Sequence, residues 1–362
     1  MNLGRLPVLW ICGAPGVGKS VTAWELFQRS DDAGYLDIDQ TGMLYPEDEA
    51  DGDGHLLEQR ALEALRANYS MAGAHTLLVS GVVDPDLVVD SQAPVPREDV
   101  CYCLLTVDPD VLRRRILARG WEAADAHEAV EEQAALVSAG FADLVVETTD
   151  RSVIEVADMV ASVLTPTPGT GTGRAGSPAV DDIPTVPAIF VTGPRVVGCS
   201  TVGFALARRA WDRGTRTGFA DLGQLSFLRR PGVDGHTDLA LGLANLDSLR
   251  AVFARLGAER FVANGHLAAR PTPDTTLVRL RAEADTLRAH IDSRLGGTEA
   301  RLTGDDLAEA TPAYQEQVLE KAIADQELLE RAGLGDLVVD VSGRSVDDVV
   351  GEIERYAVGV GP

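Results

Sequence analysis

The sequence predicts an α/β protein of two tandem three-layer αβα domains, each built on a mainly parallel sheet. Three observations predict it. Short apolar runs alternate with helical patterns along the chain. A complete Gly-x-x-x-x-Gly-Lys-Ser loop, residues 13–20, follows the first apolar run. The blocks of residues 1–164 then return in order over 188–358, in a worn form.

In the first copy, strands are expected at 7–12, 34–38, 75–80, 101–107 and 143–147. Helices are expected at 20–29, 55–72, 109–119, 124–139 and 152–163. A parallel sheet binds ligands beyond the C-terminal ends of its strands, where Gly13, Asp37, Asp39 and Ser80 fall. The stretch 165–187 is rich in Pro, Gly and Thr and reads as a linker. Beyond it, Gly193, Gly198 and Ser200 repeat Gly13, Gly18 and Ser20 at an offset of 180. Ala220-Asp-Leu-Gly-Gln224 and Phe261-Val-Ala-Asn-Gly265 repeat 36–40 and 77–81 at 184. Leu287 and Arg294 repeat Leu112 and Arg119 at 175, and Asp336–Asp340 repeats Asp143–Glu147 at 193. The changes of offset are loop insertions and deletions.

The loop carries specific chemistry. Its glycines let backbone N–H groups curl around phosphate oxygens, and the helix that follows adds positive potential. Residues Gly13, Ala14, Pro15, Gly16, Val17, Gly18, Lys19, Ser20 and Val21 form the expected nucleotide cradle. Lys19 can reach the β/γ-phosphates, and the Ser20 hydroxyl can ligate Mg²⁺. Of 32 basic residues only Lys19 and Lys321 are lysine. A flexible point charge stands where a planar guanidinium could not replace it. The expected cofactors are ATP and Mg²⁺.

With loop, strands and helices in place, residues 5–164 resemble the P-loop kinases of small molecules and nucleotides, such as shikimate, gluconate and nucleoside monophosphate kinases. The Leu36-Asp-Ile-Asp-Gln40 segment also resembles poorly characterised P-loop proteins of actinobacterial type. The resemblance implies that Asp37 bears on Mg²⁺ and that Asp39 contacts the acceptor hydroxyl. Residues two apart on a strand share a face, so both carboxylates can enter one cleft; a solvated strand end is the plainer reading. The resemblance also places Arg115 and Arg119, at i and i+4, in a lid that meets the transferring phosphate. A basic helix face explains them equally well, and the lid after Arg119 holds no further arginine. Arg151 falls in the loop that the resemblance puts beside the adenine ring, and Ser152 reads as a helix cap.

The resemblance thus implies a phosphotransferase with ATP as donor and a small hydroxylated molecule or nucleotide as acceptor. The alternative is a nucleotide-dependent regulatory protein with slow hydrolysis or none. Ser80 stands where AAA and ABC ATPases need a carboxylate, which disfavours both, and no guanine-specificity element is present. In the second copy, Cys199 replaces the phosphate-binding lysine and Gly223 the acceptor-side aspartate. That copy is expected to be a pseudo-kinase paired with the first.

Bulk properties bound the rest. Net charge is −24, which argues against nucleic acid or an anionic membrane as partner. Residues 1–164 hold 11 basic and 29 acidic side chains, a balance of −18, so any anion site there must be made locally. The acidic loop 47–53 reads as a solvated acceptor-side loop. Cys12, Cys101, Cys103 and Cys199 lack metal-ligand spacing and are expected to be free thiols in a cytoplasmic protein. The six histidines show no ligand-like grouping, and no signal peptide or membrane span is expected.

Overall fold

The structure is a computed structural model that describes residues 5–47, 54–163, 186–294, 303–307 and 310–359. Almost all of the predicted linker and residues 48–53 of the acidic loop lie outside the described residues. In chain order the first elements are β1 (Val8–Cys12), α1 (Lys19–Arg29), β2 (Ala33–Asp37), β3 (Leu44–Tyr45), α2 (His55–Met71) and β4 (Thr76–Ser80). Then come α3 (Pro85–Val89), β5 (Val100–Thr106), α4 (Pro109–Ala118), α5 (Ala123–Ala139), β6 (Leu144–Glu147) and α6 (Val153–Val163). The second copy supplies β7 (Ala188–Thr192), α7 (Cys199–Trp211), β8 (Thr217–Asp221), α8 (Leu239–Arg255), β9 (Arg260–Asn264) and β10 (Thr275–Arg281). It ends with α9 (Ala284–Arg294), α10 (Pro312–Arg331), β11 (Leu337–Asp340) and α11 (Val346–Gly359).

Local chemistry explains these elements. All five residues of β1 are buried, as in a central parallel strand covered on both faces. Asp108 caps α4 by accepting from the N–H groups of Asp110 and Val111, with Pro109 in the first turn. Glu122 and Asp125 form a capping box on α5. Ser152 and Glu155 cap α6 in the same reciprocal way, with Glu155 N–H donating to Ser152 Oγ at 3.2 Å.

The two sheets are built alike. The first has the order β2-β4-β1-β5-β6, all parallel. The second has the order β11-β10-β7-β9-β8-β3, with the same five-strand succession parallel and β3 antiparallel at its edge. The chain is therefore an α/β protein with two similar, mostly parallel sheet-and-helix bodies.

The chain divides into two compact units that do not follow the sequence order. One holds Met1–Gly42, Asp48–Asp182 and Gln224–Val252; the other holds Met43–Glu47, Ile183–Gly223 and Phe253–Pro362. In the first unit, Tyr35 N–H donates to Phe227 O at 3.2 Å and Arg229 N–H to Ala33 O at 2.9 Å. The Phe227 ring packs edge-on to Trp24 at 4.9 Å and lies 5.7 Å from Tyr35. Asn245, fully buried, accepts from Asn68 Nδ2 at 3.1 Å and donates to Leu225 O at 2.8 Å. In the second unit, β3 pairs with β8, Phe219 N–H donates to Met43 O at 2.8 Å, and Tyr45 packs on Trp211 at 4.9 Å. Tyr35 and Phe219, like Met43 and Phe227, are 184 residues apart. Each unit is thus completed by the matching segment of the other repeat.

This exchange makes Phe227 a core residue of the first unit. Phe227→Ala is expected to cost about 3–5 kcal/mol of stability. Denaturant unfolding followed by tryptophan fluorescence checks it, because Trp24 touches that ring. A loss below about 1 kcal/mol, the usual range of a surface change, would contradict the packing.

Candidate active site

The first unit brings the phosphate loop to the C-terminal ends of β1, β2 and β4. Its glycines are required. Gly13 has φ 141°, and a Cβ there would meet Leu105 O at 2.6 Å. Gly18 opens α1 in the left-handed conformation, φ 106°. Ala14 and Val17 are buried beneath the loop, whereas Val21 faces solvent. Thr148 Oγ1 donates to Val17 O at 3.4 Å, which ties the loop carrying Arg151 to the phosphate loop. Arg151 itself is exposed.

Lys19 Nζ donates to Gly13 O at 2.8 Å and to Ala14 O at 3.1 Å. Burial lowers its pKa, and Asp39, Glu132 and Asp37 oppose that shift. Ser20 Oγ donates to Asp37 Oδ2 at 3.3 Å. A hydroxyl beside a carboxylate at the loop's end is a hard-oxygen pair that suits Mg²⁺. Among the described residues no group of three or more His, Cys, Asp or Glu side chains is placed to hold a metal. Ser20 and Asp37 would therefore hold the ion together with phosphate oxygens and water. Burial, reinforced by Asp39, pushes the Asp37 carboxyl up to about 7. A divalent cation would draw it back to the ionised form.

The geometry of Asp39 differs from the sequence expectation. Strand β2 ends at Asp37, and Ile38–Gln40 is a single 3₁₀ turn. Asp37 caps that turn, accepting from Asp39 N–H at 3.3 Å. The two carboxylates meet through the turn and not through strand alternation. Gly81 makes room for it: a Cβ there would stand 2.1 Å from Ile38 Cγ2 and 3.1 Å from Asp39 Oδ1. Asp39 is open to solvent, but the surrounding cleft raises its pKa by desolvation, against the pull of Lys19 and His55.

Arg115 Nη1 donates to Gly16 O and Val17 O, both at 3.4 Å, so it borders the phosphate loop. Arg119 is the exposed C-cap of α4 and makes no ion pair among the described residues. Ser80, at the position of the absent carboxylate, is fully buried and shares a 2.9 Å hydrogen bond with Tyr35 Oη. Its hydroxyl is engaged within the protein.

Sequence reasoning missed Glu132. It stands on α5 beside Gln133, whose amide bonds the N–H and C=O of Val107 at 2.9 and 2.8 Å. That double bond fixes α5 to the end of β5. Glu132 Oε1 is buried and accepts no hydrogen bond among the described residues. Burial raises its pKa while Lys19 lowers it.

The second unit keeps the loop's form and changes its charges. Gly198 again opens a helix at φ 104°, and Val196 holds φ 61° where the first copy has Gly16, a costly conformation for a β-branched residue. Ser200 Oγ donates to Asp221 Oδ2 at 2.7 Å. Asn264 Nδ2 donates to the same Oδ2, also at 2.7 Å. Cys199 is buried in the core, which pushes its thiol pKa up. His266 Nδ1 bonds Gly193 O at 2.9 Å, the carbonyl matching the one Lys19 uses. His290 Nδ1 bonds Val196 O at 2.9 Å; at the offset of 175 it stands at Arg115's place. Two histidines thus take the contacts that lysine and arginine make in the first copy. Arg195 is held by Asp306 and by Tyr314 Oη. All four cysteines are free thiols. No helix among the described residues is long and apolar enough to cross a membrane.

A protein-family profile described as an AAA domain matches residues 9–136, less than half of the chain. Residues 9–136 are thus similar to a P-loop nucleotide-binding domain, in keeping with the phosphate loop at 13–20. The sequence expectation disfavoured AAA ATPases because of Ser80; the profile bears that name although no carboxylate stands at Ser80's place. No curated relative matches the chain. Among solved structures, the chain is similar to a tunicamycin resistance protein of Deinococcus radiodurans, at 18% identity and TM-score 0.35, over 44% of this chain and 98% of that one. It is also similar to shikimate kinase of Bacteroides thetaiotaomicron, at 14% identity and TM-score 0.30, over 43% and 97%. An uncharacterised protein of Eubacterium ventriosum aligns at 13% identity and TM-score 0.30, over 44% and 97%. At such scores these likenesses carry no argument about this chain; its own loop and sheets do.

Proposed function

We propose that the first unit is an ATP-dependent phosphotransferase acting on a small hydroxylated molecule, and that the second copy is a pseudo-kinase. The observation that carries this reading is the convergence of Lys19, the Ser20–Asp37 pair and Asp39 at one end of the sheet. Binding a nucleotide needs the first three; Asp39 exceeds that need.

In this reading Lys19 leaves the carbonyls of Gly13 and Ala14 for the β/γ-phosphate oxygens. Ser20 and Asp37 hold Mg²⁺, which supplies charge neutralisation. Arg115, and Arg119 if the lid closes, add positive charge around the transferring group, and Arg151 lies on the nucleotide side. Asp39 orients the acceptor hydroxyl and takes its proton as the acceptor O–P bond forms and the bond from Pγ to the ADP oxygen breaks.

Acceptor-stimulated ADP release tests the proposal. A panel of polyols, sugars, nucleosides and antibiotics is screened with Mg-ATP, and a true acceptor raises the release rate. The second reading, a nucleotide-dependent switch, is favoured by Ser80 and by the rewired second loop. Under it, ADP release stays slow with every acceptor.

The second copy gives its own prediction. Restoring lysine by Cys199→Lys is expected to strengthen nucleotide binding by that loop without creating phosphotransfer, because Gly223 supplies no acceptor-side carboxylate. Calorimetry on the Lys19→Ala/Cys199→Lys double variant isolates the second loop. Affinity no greater than that of Lys19→Ala alone, or acceptor phosphorylation by the double variant, would contradict the prediction.

A further inference from the structure

The segments exchanged between the two copies are reciprocal, residue for residue. Leu228 of the second copy pairs antiparallel with Gly34 on β2, and Leu44 of the first pairs antiparallel with Gly218 on β8. Tyr35 N–H donates to Phe227 O, and Phe219 N–H donates to Met43 O. At the offset of 184, Gly34 matches Gly218, Tyr35 matches Phe219, Met43 matches Phe227 and Leu44 matches Leu228. Residue i of the first copy thus meets residue j of the second, while j of the first meets i of the second. This is the contact pattern of a two-fold, self-complementary interface, as between the subunits of a dimer. Each segment also covers a sheet edge that would otherwise lie open. The pockets that receive the segments differ. Phe227 lies among Trp24, Phe27 and Tyr35. The matching positions of the second unit are Phe204, Ala207 and Phe219, and Met43 packs on that unit's core. Met43 in Phe227's place would leave part of the aromatic pocket empty, so each copy fits the other copy and not its own kind.

The same contacts reach the elements that carry the nucleotide site. Phe227 packs at 4.9 Å on Trp24 of α1, the helix that begins with Lys19 and Ser20. It lies 5.7 Å from Tyr35 of β2, the strand that ends at Asp37. Tyr35 Oη in turn bonds Ser80 Oγ, and Ser80 stands in register with Asp37. We propose that the two copies are an obligate exchange pair: the second copy supplies the segment that closes the first sheet and braces α1 and β2, so the first copy binds nucleotide tightly only when paired. This role needs neither a phosphate-binding lysine nor an acceptor-side carboxylate, the two groups that the second copy lacks. The inference rests on the nucleotide site of the proposed function and not on phosphate transfer.

The test uses the full chain with a protease site inserted in the linker, within 165–187, and cut after folding. A flexible linker holds two domains at an effective concentration in the millimolar range, so pairing that survives the cut at about 1 µM measures the exchange itself. Size-exclusion chromatography with light scattering is expected to show both pieces in one species of the uncut mass. Arg229→Pro removes the N–H that donates to Ala33 O at 2.9 Å, and it should weaken the cut pair about tenfold or more. The Mg²⁺ complex of a non-hydrolysable ATP analogue should tighten the cut pair about fivefold or more, because pairing that strengthens nucleotide binding is strengthened by nucleotide in equal measure. Dilution of fluorescently labelled cut protein measures these dissociation constants. An uncut chain that binds no nucleotide ends the nucleotide reading and the bracing with it, while co-elution of the pieces then still establishes the pair. Pieces that separate at micromolar concentration, a pair that Arg229→Pro leaves unchanged, or a dissociation constant indifferent to the nucleotide would each overturn the inference.

Discussion

Lys19→Ala is expected to weaken Mg-ATP binding by about a hundredfold or more, since it removes charged hydrogen bonds worth roughly 1.5–3 kcal/mol each. Calorimetry measures the loss. The fold should persist, because among the described residues Lys19 bonds only the carbonyls of its own loop, Gly13 O and Ala14 O. Lys19→Arg is expected to fail as well, since a planar guanidinium lacks the compact reach of an ammonium. Wild-type affinity in Lys19→Ala would remove this residue from the nucleotide site.

Asp39→Asn is expected to leave ATP affinity nearly unchanged and to lower acceptor phosphorylation by about 10²–10⁴-fold, the usual worth of a general base. The amide keeps the shape and the 3₁₀ turn, whose cap is Asp37. Asp37→Asn should act differently and raise the Mg²⁺ requirement, because its Oδ2 is bonded to Ser20 Oγ. The second copy separates the two roles in the same way. It retains Asp221 on Ser200 and has Gly223 at the acceptor-side position.

Much of the fold was legible because each central strand is a short apolar run with few polar neighbours. The expected strand 75–80 and the observed Thr76–Ser80 differ by one residue. The phosphate loop was legible because its glycines and lysine are fixed by backbone geometry. The exchanged segments were not, since Met43-Leu-Tyr45 and Phe227 carry no mark of which sheet they join. Strand pattern encodes burial, not the identity of the neighbour. Glu132 was hidden in α5, as one of several glutamates on that helix, and only the fold brings it under the pull of Lys19. One of the two histidine replacements was within reach. The offset of 175 that matches Leu112 with Leu287 also sets His290 at Arg115. His266 had no such signal, for it reaches the loop from the end of β9 through tertiary contact alone.

The central claim is transfer of the γ-phosphoryl group to an acceptor by the first unit. It is tested most directly with ATP radiolabelled on the γ-phosphate, incubated with the full chain, Mg²⁺ and the acceptor panel, and separated by chromatography. Label is expected in an acceptor, abolished by Lys19→Ala and sharply reduced by Asp39→Asn. Label found only in ATP and inorganic phosphate with every acceptor, or equal transfer by wild type and Asp39→Asn, would contradict it.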